Sequence, residues 1–358
     1  MTLFDIIMKN KIKSLSIVGM AKNVGKTVTL NYLIEEAAGR GMVLGLTSAG
    51  RDGERKDVVY GTRKPGIWVH EGYLIATARK YIVKSQAGIE VIYNTEINTP
   101  MGEVIIGRVR ESGEIELAGP GPSSGIKQVI DLMEEFGGQL VLVDGALDRA
   151  SSAAPTVTEG TILATGAVLG HSIETIIEKT RLRVELFRLK TVDDEKVKQM
   201  AFKVIEEGKT GIITDTGLKT LNQGSVLLSG KEISSLIDES TRAVVISGAV
   251  TDRFMKDLIN VPHLKDAYII VKDGIKIFPD VMTYKQLKRK GVEFRVLDPI
   301  NLLALTVNPC SPYGYNFDPD EFLERIGSAI GSIPVYDVVL GKGANVLEAG
   351  SWKLEVGN

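Results

Sequence analysis

The residues best suited to chemistry lie near the start of the chain. Gly19-Met-Ala-Lys-Asn-Val-Gly25-Lys26-Thr27 follows the apolar run Ser14-Leu-Ser-Ile-Val and precedes an amphipathic segment, Lys26 to Glu36. Binding a chain of phosphates needs backbone N–H groups converging on the anion, a helix N-terminus aimed at it, a lysine for the outer phosphates and a hydroxyl for Mg²⁺. Gly25 permits close backbone approach, Lys26 supplies the cation and Thr27 the metal-binding hydroxyl. Gly19, Ala21, Lys22, Asn23, Val24 and Val28 complete the stretch that would surround the ligand. The usual spacing is Gly, four residues, then Gly-Lys-Ser/Thr; here Met20 stands at the first-glycine position and Gly19 is one residue further back. An incidental helix start is the competing reading of a bare Gly-Lys-Thr, and the flanking strand and helix weigh against it.

A phosphate loop needs a carboxylate for Mg²⁺ or its water at the end of a neighbouring buried strand. Gln139-Leu-Val-Leu-Val-Asp144-Gly-Ala-Leu-Asp148-Arg149 has that form, so Asp144 is the expected metal and catalytic carboxylate; a strand-ending aspartate that caps a turn is the plainer alternative. Asp148 and Arg149 read equally well as a second acid with a transition-state arginine or as a solvated pair. The second strand runs into Thr47-Ser-Ala-Gly50-Arg51-Asp52-Gly53-Glu54, in a loop that doubly wound sheets place beside the first, so Asp52 is a second expected metal ligand and Glu54 a weaker one. A charged surface turn explains that loop as well. Asn308, after the apolar Leu302–Val307, is a candidate reader of the nucleotide base, with a proline-stiffened turn at Asn308-Pro-Cys-Ser-Pro312 as the simpler account.

Positioning these residues requires alternating strands and helices. Ser14–Gly19, Val43–Thr47, Leu140–Val143, Thr161–Thr165, Gly211–Thr214, Ala243–Ser247, Tyr268–Val271, Phe294–Leu297 and Leu302–Val307 read as strands, and Ile126–Phe136, Ile173–Phe187, Glu195–Glu207 and Asp252–Ile259 as helices. That alternation predicts an α/β fold, a doubly wound, mostly parallel sheet. Turn signals at Asn98–Gly102 and Glu111–Glu114 predict an antiparallel insertion over about 89–118. The polar stretch Asp215–Ser225 sets the expected boundary between a nucleotide-binding domain, 1–214, and a C-terminal α/β region, 215–358.

Composition narrows the classes. Lys and Arg number 43 against 45 Asp and Glu, a net charge of −2, which argues against nucleic acid or anionic lipid as a partner. One cysteine, Cys310, and three histidines, His70, His171 and His263, give no disulfide and no zinc spacing, pointing to a reducing compartment, the cytoplasm. The apolar N-terminal run is cut by Asp5 and followed by lysines, the reverse of a secretory signal, and no stretch reaches about 18 apolar residues. Gly121-Pro-Ser123-Ser-Gly125 matches a nucleophile elbow, yet what precedes it is turn-like, and Ser123 or Ser124 reads as an ordinary N-cap. Glycine is in excess, 38 of 358 residues, and several sit at strand ends near the loop.

Gly19, Val24, Gly25, Lys26 and Thr27 resemble the longer phosphate loop of dethiobiotin synthetase and its relatives, and Asp144-Gly-Ala146 resembles that family's Glu-Gly-Ala with the acid shortened. The resemblance implies a P-loop NTPase fold, ATP with Mg²⁺, and often a homodimer. The departures are Met20-Ala-Lys22 in place of Thr-Asp-Thr, and Thr47-Ser48 where that enzyme has a Lys-Pro pair for its diamine chemistry. Lys22 is also out of register with the additional lysine of MinD-type ATPases. Taken together, Ala21–Thr27, Thr47–Glu54 and Val143–Arg149 resemble the reactivase subunit family of lysine 5,6-aminomutase over most of the chain. This implies an ATPase working with a second ATPase subunit and with the adenosylcobalamin- and pyridoxal-phosphate-dependent aminomutase of lysine fermentation, Gly50–Asp57 and Gly145–Ala154 serving as switch segments. A dethiobiotin synthetase-like ligase or kinase acting on a small carboxylate, and a module that holds nucleotide without hydrolysing it, are the competing expectations. The chain has no Asp-x-His-x-x-Gly segment for cobalamin ligation.

Overall fold

The computed structural model describes residues 1–50, 66–146, 154–221 and 230–346. The chain forms two compact units: residues 1–181 with 301–358, and residues 182–300. The expected cut at 214/215 is therefore corrected, because it falls in the two-residue turn of an antiparallel hairpin, Thr210–Thr214 with Gly217–Leu221, inside the second unit. The expected C-terminal region also divides, since Leu302–Asn308 pairs in parallel with Gly160–Gly166 of the first unit. An apolar strand carries no local mark of which sheet it will join.

In the first unit the central sheet contains β1 (Ser14–Gly19), β2 (Leu44–Ser48), β3 (Leu74–Ala78), β4 (Gly88–Thr99), β5 (Gly102–Glu111), β6 (Leu140–Ala146), β7 (Gly160–Gly166), β8 (Leu302–Asn308), β9 (Val335–Asp337) and β10 (Lys342–Ala344). Their order is β10-β9-β8-β7-β1-β6-β2-β3-β5-β4. The run from β9 to β3 is parallel, and β10, β5 and β4 are antiparallel to their neighbours. The fold is thus α/β with a large, mostly parallel central sheet. The expected antiparallel segment is present as β4 and β5, attached to the sheet through β3. Its companion pair, Ile67–Val69 with Gly113–Ile115, begins well before residue 89.

Both faces of this sheet are covered, and β6 shows why. Leu140 and Leu142 join Leu30, Leu33, Ile34 and Ala37 of the helix Lys26–Gly39 in one core layer. Val141 and Val143, pointing the other way, join Ile126, Val129, Ile130 and Met133 of the helix Ser123–Glu135. Alternation of direction along a strand buried on both sides gives continuous apolar sequence, which is how these strands read. Asp5, which interrupts the N-terminal apolar run, forms a capping box with Thr2 at the start of the helix Leu3–Lys9, whose Leu3, Phe4 and Ile7 enter the first core layer.

Two buried tyrosines tie that layer to backbone carbonyls: Tyr73 donates to Ile34 O at 3.2 Å and Tyr336 to Met1 O at 3.1 Å. Burial pushes both hydroxyls up to about 12, from an ordinary value near 10. Because the folded state holds these protons more tightly than the unfolded chain, their stabilising effect is complete below pH 10 and is lost as pH rises toward 12. Thermal melting from pH 8 to 12 should show a falling alkaline limb that is shallower in Tyr73→Phe.

The second unit has a five-stranded sheet ordered Gly217–Leu221, Thr210–Thr214, Thr241–Ile246, Tyr268–Val271, Glu293–Val296, the last three parallel. Helix Glu195–Glu206 covers one face through Ala201 and Val204, and helices Asp252–Leu258 and Val281–Arg289 cover the other through Met255, Leu258 and Leu287. Among the described residues no helix is long and apolar enough to cross a membrane.

Candidate functional site

Parallel pairing brings the carboxyl ends of β2, β6, β1, β7 and β8 to one edge of the sheet. Ile17 and Ser48 are level with Asp144, and Gly19 is level with Ala146 and Ala164. The glycine-rich loop leaves β1 at this edge. Its first residue, Met20, donates its N–H to Ala164 O at 2.9 Å, and the loop then passes through Asn23 at φ 63° and Gly25 at φ 91°. These left-handed positions turn the chain sharply into the helix Lys26–Gly39, and Gly25 takes a conformation that side chains resist.

Gly25 is the N-cap of this 14-residue helix, and no side chain caps it. The Thr29 N–H closes the first helical bond, to Gly25 O at 2.9 Å. Lys26, Thr27 and Val28 therefore occupy the positions whose N–H groups precede the helical ladder, at the positive end of the helix dipole. Such an end is receptive to an anion. The absence of a capping side chain is what distinguishes it from the helix starts at Asp194, Asp280 and Asp318, whose carboxylates accept from their own first turns.

Lys26 folds back over the loop. Its Nζ donates to Gly145 O at 2.8 Å and lies 3.6 Å from Asp144 Oδ1, with the two side chains 14% and 6% exposed. The lysine stem packs across Gly19, where a Cβ would come within 2.7 Å of Lys26 Cγ and of Val24 Cγ2. Gly19 is thus required by close packing even though it stands one residue outside the usual spacing. Val24 is buried and serves as packing, Ala21, Thr27 and Val28 are half-buried, and Lys22 is exposed.

Asn308 holds the loop in place. Its Nδ2 donates to Asn23 O at 3.0 Å, its Oδ1 accepts the Cys310 N–H at 3.0 Å, and its Cβ lies 3.3 Å from the position of a Cβ on Gly25. Each end of the amide bonds protein backbone, so Asn308 braces the loop. The neighbouring Thr29 hydroxyl donates to Thr306 Oγ1 at 2.9 Å, a second tie between this helix and β8.

Asp52, Glu54, Asp148 and Arg149 lie outside the described residues. Most of both expected switch segments lies outside them as well. Among the described residues no three His, Cys, Asp or Glu side chains gather as a metal cage. A magnesium ion carried in by phosphates needs only one or two protein carboxylates, and the buried Asp144 with the Thr27 hydroxyl is a donor set of that kind.

At the end of β2, Thr47 donates to Ala76 O at 2.9 Å and Ser48 to Gly50 O at 2.8 Å. Gly119 seats so closely there that a Cβ would fall 2.2 Å from Ser48 O. The segment 119–122 before Ser123 is irregular rather than strand, as a nucleophile elbow would not have it. Its helix begins at Ser123, with Pro122 at the N-cap and no side-chain cap, so the expected Ser123 or Ser124 cap is corrected.

No known protein family matches this chain, and no curated protein matches it at a significant level.

Proposed function

We propose that the chain is a nucleotide-binding ATPase of the P-loop type, with Lys26 and Asp144 at its centre. The observation that carries this reading is the convergence of an uncapped helix N-terminus, a largely buried lysine and a buried carboxylate 3.6 Å from it, all at the carboxyl edge of a parallel sheet. Ligands of open α/β sheets bind at this edge. Lys26 would turn from Gly145 O to the outer phosphates, the N–H groups of Lys26, Thr27 and Val28 would receive phosphate oxygens, and Thr27 with Asp144 would hold Mg²⁺. The metal would neutralise charge on the phosphates as ADP leaves.

The whole-chain resemblance extends this reading to a partner. A radical aminomutase that has lost its adenosyl group retains damaged cobalamin. An ATPase whose loops respond to the γ-phosphate could open that site as part of a reactivase with a second ATPase subunit. Purified protein plus that subunit, added with MgATP to cobalamin-inactivated lysine 5,6-aminomutase, should restore turnover after addition of fresh adenosylcobalamin. Phosphate release should rise several-fold only in the presence of the inactivated enzyme. No recovery, with hydrolysis instead dependent on a small carboxylate, would favour the ligase or kinase reading. ATP affinity with no hydrolysis under either condition would favour a binding module. The diamine chemistry of dethiobiotin synthetase is disfavoured by the end of β2, where the hydroxyls of Thr47 and Ser48 are bonded to backbone.

A further inference from the structure

The loop that would hold phosphates has a neighbouring cavity that the proposed function leaves unused. Gly166, the last residue of β7, touches the loop: a Cβ there would lie 3.5 Å from Val24 Cα and 2.8 Å from Asn308 O. From Gly166 the chain makes a tight turn at Ala167–Leu169 and enters the helix Ile173–Phe187 behind Ser172, whose hydroxyl accepts the Thr175 N–H at 3.2 Å. From Asn308, the last residue of β8, a second turn carries Tyr313 and Tyr315. The Tyr315 hydroxyl donates to Ala167 O at 3.0 Å and Gly170 O at 3.3 Å, and its ring lies 4.6 Å from that of His171. Between the two turns is an open cavity of about 520 Å³, with Tyr313, His171, Ser172 and Thr175 in its walls.

Sheet order fixes the direction in which a ligand extends. Lys26, Asp144 and Gly145 lie where β1 meets β6, so the outer phosphates belong on that side. The remainder of a nucleotide would then run the other way, toward the turns that follow β7 and β8 and bound this cavity. Its volume is in the range of small-molecule sites, and aromatic faces with a few hydroxyls and carbonyls are what a planar, hydrogen-bonding ring requires.

We propose that this cavity receives the nucleoside of the bound nucleotide, its heteroaromatic base lying against Tyr313 and His171 while Asn308 braces the loop. The inference rests on the phosphate-loop reading and names the part of that site which selects a nucleotide over a bare polyphosphate. Tyr313 is 52% exposed, so truncating it should leave folding intact. Calorimetric titration of the full chain with MgATP and with magnesium tripolyphosphate separates the two readings. Tyr313→Ala should weaken MgATP about tenfold, the usual scale for losing one base–aromatic stack, and leave tripolyphosphate within twofold. Tyr313→Phe should keep the affinity of the parent, and His171→Ala should weaken MgATP selectively as well. Unchanged MgATP affinity in both alanine variants, or a parallel loss of tripolyphosphate, would overturn the assignment of the cavity while leaving the loop intact. Failure of the parent chain to bind tripolyphosphate would remove the phosphate-loop reading, and this inference with it.

Discussion

Lys26→Ala should lose MgATP binding by about 100-fold or more, and hydrolysis with it. A lysine that meets two phosphates makes charge-assisted hydrogen bonds worth roughly 1.5–3 kcal/mol each, so losing two of them accounts for such a change. The substitution also takes a cation from beside Asp144, whose side chain is 6% exposed. Breaking so sheltered a pair should lower unfolding stability by about 2 kcal/mol, somewhat less than for a fully buried pair because Lys26 keeps some contact with water. The two effects can be separated. Lys26→Ala combined with Asp144→Asn should recover part of the lost stability, read as a denaturation midpoint, and none of the binding, read by calorimetry. Lys26→Arg should not rescue binding, since a planar guanidinium cannot take the ammonium's place beside Gly145 O when the stem is already in close contact with Gly19. Retention of MgATP affinity in Lys26→Ala would remove the basis of the proposed function.

How much of this site was legible in the sequence depends on how local each part is. Gly19 to Thr27 is one strand end, one loop and one helix start, and all its conformational demands fall within nine residues. Residue types and spacing therefore carried it, apart from the packing of Lys26 and Val24 across Gly19, which explains the shifted glycine only in three dimensions. Asp144 was legible as an acid ending an apolar strand. That its strand lies directly beside β1 is a pairing across more than a hundred residues, and only the parallel register shows it. Asn308 was legible as a residue near the site, but its bond to Asn23, across 285 residues, was not. His171 and Tyr315 carried no signal as a pair, since their rings meet through the adjacency of β7 and β8.

The fold followed the same rule. Strands with unbroken apolar runs were recognisable, whereas Leu74–Ala78, rich in small residues, was not, and neither was the short Val335–Asp337. The boundary differs because the polar Asp215 and Thr216 form a hairpin turn, while the passage between units lies at 181/182, inside the continuous helix Ile173–Phe187. Amphipathic periodicity runs through that helix without interruption, so nothing in its local pattern announces a change of unit.

Asp144→Asn is the sharper test of catalysis as distinct from binding. The substitution preserves size at a position level with Ile17 and Ser48 in the sheet, so the strand should form unaltered. It removes the negative charge that would hold Mg²⁺ or its water, and the loss of one such electrostatic contribution typically costs about 10²–10³ in turnover. Phosphate release should fall by that factor. ATP binding should persist within about tenfold, because Lys26 and the helix N-terminus remain, and the lysine, relieved of its counter-charge, is freer to turn toward phosphate. The role of the metal gives the discriminating measurement. In the parent chain Mg²⁺ should tighten ATP binding relative to EDTA, and in Asp144→Asn that gain should largely disappear. Undiminished phosphate release would reduce Asp144 to a partner that orients Lys26. Loss of hydrolysis with a full magnesium effect on binding would transfer metal binding to another carboxylate, while keeping Asp144 in the chemical step.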